Sequence, residues 1–102
     1  MTEKRRPSFD LHSIKKAFSN VRTLEITVTA MKSAAELGFD RNEIIHTIQA
    51  IQSNHFYKSM TSEHNYQIWQ DVYHVPTAVG TLYIKFSNGV ISQFNLVSFK
   101  LK

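Results

Sequence analysis

Residues 56–73 read FYKSMTSEHNYQIWQDVY, and this stretch decides the fold. Upstream of it apolar residues recur with a helical period, whereas from here onward they recur at every second position, which is typical of β-strands. Two strands are predicted, at 56–61 and 68–73, joined by a polar link. The stretch also sets aromatic rings beside isolated lysine and amide side chains. Such groups bind unpaired bases and a phosphate, and they also make up ordinary half-buried strand pairs.

The first half of the chain predicts three helices. Asp10 is an N-cap for the first helix, which is predicted to end near Asn20, and Gly38 is a C-terminal stop for the second. A capping box begins at Asp40, so the third helix is predicted to start there and to end about Ser53. The apolar positions at helical spacing are Leu11, Ile14 and Phe18, then Ala30, Met31, Ala34 and Leu37, then Ile44, Ile45, Ile48 and Ile51.

The second half of the chain predicts further strands. Leu82, Ile84 and Phe86 alternate with Tyr83 and Lys85, which indicates a half-buried strand. Pro76 and Gly80 predict a loop before that strand, and Asn88-Gly89 predicts a hairpin after it. The last strand, 90–100, changes the face that its apolar residues occupy. A β-bulge near residues 95–97 explains this change.

Helices followed by strands predict an α+β fold, with N-terminal helices packed on a mainly antiparallel sheet. The 102 residues are predicted to form one domain, residues 1–102, because this is a common domain size and 42% of the chain is hydrophobic. Residues 1–8 are predicted to be a basic, frayed tail. Residues 21–29 are predicted to be a short strand or an extended link, with helix possible at its end.

Composition excludes several kinds of protein. The chain has no cysteine, so disulfides, thiolate zinc sites and cysteine nucleophiles are absent. No apolar run approaches the roughly 20 residues of a membrane span, and no apolar segment follows the basic N-terminus as in a signal peptide. We therefore expect a cytoplasmic protein with no membrane partner.

The sequence also argues against several enzyme mechanisms. The five histidines lack metal-ligand spacing, and three glycines cannot form a glycine-rich phosphate loop. After residue 43 the acidic residues are Glu63 and Asp71, which lie in different predicted elements, so a paired-carboxylate mechanism is not favoured. No metal and no cofactor are expected. The net charge of +4 raises the odds of a polyanionic partner only modestly.

The polar residues of the predicted strands suggest a different chemistry. Lys58, Gln70, Tyr83 and Lys100 lie on four successive strands, and one sheet can bring them to its open face. That set suits RNA cleavage without a metal: the two lysines stabilise charge on the phosphoryl oxygens, and the amide orients the RNA backbone. The tyrosine transfers protons, and we expect the nearby ammonium groups to lower its pKa. Candidate RNA-binding residues are Tyr57, Met60, Tyr73 and Lys85.

The same residues also have a purely structural interpretation. Lysines on edge strands often serve only to block aggregation, and a strand tyrosine is commonly a rim residue. Two alternatives therefore stay open: a single-stranded RNA-binding module that does not cleave, and a protein-interaction domain whose exposed aromatics dock a partner.

Five segments carry a resemblance to a known family. They read EKRRP at 3–7, AELGFD at 35–40, FYKSMT at 56–61, IWQDVY at 68–73 and VSFK at 97–100. Together they resemble the motility quorum-sensing regulator toxins, the MqsR family, over essentially the whole chain. Asn65 and Tyr66 depart from that family's pattern, which has an Asp-His pair at these positions.

The resemblance implies a type II toxin with a RelE-like α+β fold. It implies an endoribonuclease that cuts messenger RNA at GC-containing triplets without a metal. It further implies a monomer that is neutralised by a zinc-binding, DNA-binding, MqsA-like antitoxin and becomes oligomeric through that antitoxin. The family's active-site lysine, glutamine, tyrosine and C-terminal lysine fall on Lys58, Gln70, Tyr83 and Lys100.

Overall fold

The computed structural model describes residues 2–90 and 92–102, and within them three α-helices pack on one face of a five-stranded sheet. The helices are α1 (Leu11–Ala17), α2 (Val28–Glu36) and α3 (Arg41–Gln49), and the strands are β1 (Glu3–Lys4), β2 (Phe56–Thr61), β3 (Trp69–Thr77), β4 (Gly80–Asn88) and β5 (Phe94–Leu101). The sheet order is β1-β2-β3-β4-β5, and every neighbouring pair is antiparallel. The predicted α+β class is confirmed.

The helix starts lie where their caps predict them. The Asp10 carboxylate accepts the Ser13 N–H at 3.0 Å and begins α1. The capping box before α3 is complete, because the Glu43 N–H donates to Asp40 Oδ1 at 2.8 Å and the Asp40 N–H donates to Glu43 Oε1 at 3.1 Å. Gly38 follows α2 with a φ of 85°, a backbone conformation that favours glycine.

Two predicted helix ends and one predicted link are corrected. The first helix stops at Ala17 because Asn20 instead caps a short 3₁₀ turn, Val21–Thr23. The third helix stops at Gln49, before the predicted end at Ser53. Residues 21–29 form neither a full strand nor a simple link, because Ile26 makes only an isolated parallel bridge to Leu96 after the 3₁₀ turn. The helix predicted as possible at the end of this segment is confirmed, since α2 begins at Val28.

The predicted loop at Pro76 is wrong, because β3 continues through that residue to Thr77. Pro76 is exposed and pairs with Thr81 of β4, whereas the pairing of β2 with β3 extends only as far as Tyr73. Pro76 therefore lies where β3 has a neighbour on one side, and its missing N–H interrupts no second ladder. The turn is residues 78–79, and Gly80 closes it with a φ of 126°.

The hairpin and the bulge near the C-terminus are confirmed, with one change. A longer connection joins β4 to β5, and β5 begins at Phe94, four residues after the predicted start at Val90. Ile91 lies outside the described residues. Phe86 pairs with Leu96, and Lys85 pairs with Ser98. Val97 lies between these two β5 residues and has no partner on β4, so it is the bulged residue. This bulge accounts for the change of apolar face in the last strand.

The hydrophobic core fills the space between the helices and one face of the sheet. Phe86 of β4 is fully buried, with its ring centroid 5.6 Å from that of Phe18, the C-cap of α1, and 6.0 Å from that of Tyr73 in β3. Trp69 is only half-buried, and the ammonium of Lys4 lies 4.2 Å from its ring centroid. The other face of the sheet, which we call the open face, carries the polar residues of the strands.

The N-terminal residues are ordered, which corrects the predicted frayed tail at 1–8. Within the described part of that segment, β1 pairs with β2 as the edge strand of the sheet. Asp71, fully buried on β3, accepts the backbone N–H of Ser8 at 3.0 Å and of Phe9 at 2.9 Å. A buried carboxylate needs such donors, so Asp71 fixes the path of the N-terminal segment against the sheet.

Candidate active site

The antiparallel register brings the four predicted site residues to the open face. Tyr83 of β4 lies between the core residues Leu82 and Ile84, so its side chain points away from the helices. It pairs with Lys100 of β5, whose ammonium lies 5.4 Å from the Tyr83 ring centroid. On β2, Lys58 pairs with Val72, which lies two residues after Gln70 and therefore on the same side of β3.

A second β-bulge adds an aromatic ring to this face. Phe56 pairs with Tyr73 and Lys58 pairs with Val72, so Tyr57 is the extra residue on β2. The Tyr57 ring is stacked on the imidazole of His74, with ring centroids 4.2 Å apart and an interplanar angle of 21°. Because 42% of Tyr57 is exposed, its ring is also available to a base from solution.

Lys58 is engaged by a carboxylate from the N-terminal strand. Its ammonium lies 2.6 Å from Glu3 Oε2. This hydrogen bond raises the pKa of Lys58 and lowers the pKa of Glu3, so both groups are charged at neutral pH. The carboxylate takes one of the three N–H donors of Lys58 and offsets its positive charge, so it competes with a substrate phosphate for this lysine.

We expect Glu3→Gln to raise kcat/KM for RNA cleavage by about two- to fivefold, since an exposed ion pair of this kind opposes anion binding only weakly. The measurement is the initial rate on a short RNA below saturation at low salt. The difference should shrink at high salt, which screens exposed charges.

The control is Glu36→Gln. Glu36 is exposed to solvent at the end of α2 and lies on none of the strands that form the open face. A tenfold or greater fall in activity for Glu3→Gln would contradict this prediction, because it would mean that the carboxylate assists the reaction.

The pKa of Tyr83 is shifted in the direction opposite to the predicted one. Burial raises the pKa of Tyr83, and the opposing effect of the Lys58 ammonium is smaller. The expected lowering of this pKa is therefore wrong. Tyr83 is a neutral phenol at neutral pH, which makes it a hydrogen-bond or proton donor rather than a proton acceptor.

Tyr73 is not part of the open face. Only 1% of its surface is exposed, and its ring packs in the core against Phe56 and Phe86. Burial raises its pKa to about 12. Stacking of Tyr73 on an RNA base is therefore incompatible with the structure, and we remove this residue from the proposed RNA-binding set.

Two of the remaining predicted RNA-binding residues, Met60 and Lys85, meet at a shallow cavity of about 260 Å³ at one end of the open face. Its lining residues are Met60, Ser62, Glu63, His64, Gln70 and Lys85. The pKa of Lys85 is lowered, mainly by burial and to a lesser extent by the nearby ammonium of Lys100. The cavity combines an apolar side chain, an amide and a cation, which suits one RNA base and the phosphate beside it.

Sequence reasoning missed His74, which lies at the centre of the open face. It pairs with Tyr83 across β3 and β4, and their ring centroids are 5.9 Å apart. Alternation contains the signal that finds it, because His74 follows Gln70 by four residues on the same strand and the two therefore share a face.

Across residues 2–90 and 92–102, no three His, Asp or Glu side chains are grouped so as to hold a metal ion. In the same part of the chain, no helix combines the length and the apolar character that crossing a membrane requires.

The chain is similar to known proteins over nearly its whole length. The family model described as motility quorum-sensing regulator, toxin of MqsA, matches residues 6–101, so the chain belongs to this toxin family. The chain is also similar to the mRNA interferase toxin MqsR of Escherichia coli (strain K12). The two are 38% identical over 100 residues, which is 98% of this chain and 99% of that protein. The resemblance predicted from the five segments is confirmed.

Proposed function

We propose that this chain is a cytoplasmic endoribonuclease that cuts messenger RNA at GC-containing triplets without a metal and thereby inhibits translation and growth. One observation carries the proposal: the sheet register gathers Lys58, Gln70, Tyr83 and Lys100 on one open face. Membership of a toxin family, and a relative named as an mRNA interferase, support it further.

The proposed reaction is an in-line attack within the RNA. The ribose 2′-oxygen attacks the adjacent phosphorus, the bond to the 5′-oxygen of the next nucleotide breaks, and a 2′,3′-cyclic phosphate forms. Lys58 and Lys100 stabilise the negative charge that builds on the phosphoryl oxygens. Gln70 orients the backbone, and the neutral phenol of Tyr83 donates a proton to the leaving 5′-oxygen.

Substrate binding uses the aromatic and cationic residues around that centre. The exposed Tyr57 ring stacks on one base, and the cavity that Met60 and Lys85 line takes another. Base stacking tolerates different bases, so these contacts hold the RNA as a single strand, and the cavity supplies the preference for a triplet.

The proposed protein partner is an MqsA-like antitoxin that binds zinc and DNA. The family description, toxin of MqsA, supports a toxin–antitoxin pair. In this proposal the toxin is a monomer, and larger assemblies form through the antitoxin.

The direct test is to incubate the purified chain with messenger RNA in EDTA. We expect new ends that carry a 5′-hydroxyl on one fragment and a cyclic phosphate on the other. Intact RNA that stays bound would instead identify a non-catalytic RNA-binding module. In cells, expression should arrest growth, and co-expression of the adjacent gene should relieve the arrest. RNA that is neither cut nor bound would overturn the proposal.

A further inference from the structure

His74 lies on β3, the central strand of the open face, and it is held between two tyrosines. The ring of Tyr57, on β2, stacks on the His74 ring with the two centroids 4.2 Å apart. The ring of Tyr83, on β4, has its centroid 5.9 Å from that of His74. Within residues 2–90 and 92–102, neither ring nitrogen of His74 hydrogen-bonds to another group. The ring is therefore fixed in position while its nitrogen atoms stay available to a ligand.

The proposed cleavage reaction needs a proton acceptor, and the four predicted residues do not include one. Lys58 is protonated and ion-paired, and Tyr83 is a neutral phenol at neutral pH. Glu3 is ionised, but the same hydrogen bond with Lys58 lowers its pKa and makes it a weak base. A general base works best when its pKa lies near the operating pH, and a histidine meets this condition.

We propose that His74 is the general base of the reaction and takes the proton from the ribose 2′-hydroxyl as the 2′-oxygen bonds to phosphorus. This inference rests on the proposed function. The electron pair of the broken P–O5′ bond goes to the 5′-oxygen, which takes the Tyr83 phenol proton. The reaction leaves His74 protonated and Tyr83 ionised, and water then carries the proton between them, so no other reactant is consumed.

The surroundings of His74 favour the neutral imidazole that this role requires. The titratable groups around it are Tyr57 and Lys58 from β2, Tyr83 from β4 and Lys102 after β5. Burial lowers the pKa of His74 from 6.5, and the ammonium groups of Lys102 and Lys58 lower it further. The active form is unprotonated, so activity should rise with pH through a value below 6.5 and then stay level.

The test uses substitutions of His74 in the full chain. His74→Phe keeps a ring for the stack on Tyr57, and His74→Gln keeps a polar group; neither accepts a proton at neutral pH. Both should lower kcat by roughly 10²–10⁴-fold. Both should bind an RNA that lacks the reacting 2′-hydroxyl as tightly as wild type does. Added imidazole should partly restore cleavage to His74→Ala, and the acid limb of the pH profile should be absent in His74→Gln.

The matched control is His12→Gln, an exposed histidine on α1, which should cleave as wild type does. The inference is overturned if His74→Gln retains the wild-type rate and acid limb while Lys58→Ala is inactive. It is also overturned if Glu3→Gln removes the acid limb instead. If wild-type protein leaves RNA intact, the proposed function itself has failed, which is a different result.

Discussion

We expect Lys58→Ala and Tyr83→Phe each to reduce RNA cleavage by on the order of 10²–10³-fold, while the protein keeps its fold. In the proposed reaction, the first change removes a cation that stabilises the developing phosphoryl charge. The second removes the hydroxyl that protonates the leaving oxygen. The measurement is single-turnover cleavage of a short RNA, with circular dichroism and the urea midpoint to check the fold.

Both changes should leave stability nearly unaltered, because neither side chain belongs to the core cluster. Lys32→Ala on α2 is the matched control, since Lys32 is an exposed lysine on the helix side of the molecule. Wild-type cleavage by purified Lys58→Ala and Tyr83→Phe would show that these residues do not perform the chemistry.

Phe86→Ala has the largest expected effect on stability, a loss of about 3–5 kcal/mol. Phe86 is fully buried, and its ring packs against those of Phe18 and Tyr73. Truncation to alanine therefore leaves a cavity between the helices and the sheet. A loss of that size is comparable to the whole stability of many domains, about 5–15 kcal/mol. We therefore expect much of the variant to be unfolded at 37 °C, as measured by urea or thermal unfolding.

Two comparisons sharpen this result. Phe86→Leu fills most of the space and should cost much less, and Val90→Ala should be almost neutral because 92% of Val90 is exposed. An unfolding midpoint for Phe86→Ala that matches Val90→Ala would contradict the core described above.

The sequence alone predicts much of the fold because its strongest signals are local. Caps at Asp10 and Asp40 and the stop at Gly38 depend on a few neighbouring residues, and the structure has all three. The bulge at Val97 is also visible locally, since Leu96 and Phe99 lie three positions apart, which alternation would place on opposite faces, yet both face the core.

The pairing of distant segments is not a local signal. Nothing in residues 2–9 shows that they lie beside β2, because the donors from Ser8 and Phe9 meet the Asp71 carboxylate only after the chain has folded. The sequence therefore predicted a tail where the structure has an edge strand. The direction of the Tyr83 pKa shift also depends on the folded structure, because burial raises this pKa and positions in the sequence do not show burial.

The sequence predicts the positions of only some of the aromatic residues. Tyr73 and Gln70 are three residues apart on β3, so strict alternation places them on opposite faces, as the structure does. Tyr57 and Lys58 are adjacent, and alternation alone would separate them as well. The bulge at Tyr57 allows both side chains to reach the open face, and no turn residue marks it in the sequence.

The sequence distance between Glu3 and Lys58 has a consequence for the order of folding. Strands β2 to β5 are joined in succession, whereas β1 pairs with β2 across all three helices, with Glu3 and Lys58 lying 55 positions apart in the sequence. Closing that long loop costs entropy, and β1 offers a pairing of only two residues in return. We expect β1 to join the sheet late and to detach readily, without disturbing the rest of the fold. Each detachment would uncover the ammonium of Lys58 while the helices and the other four strands stay folded.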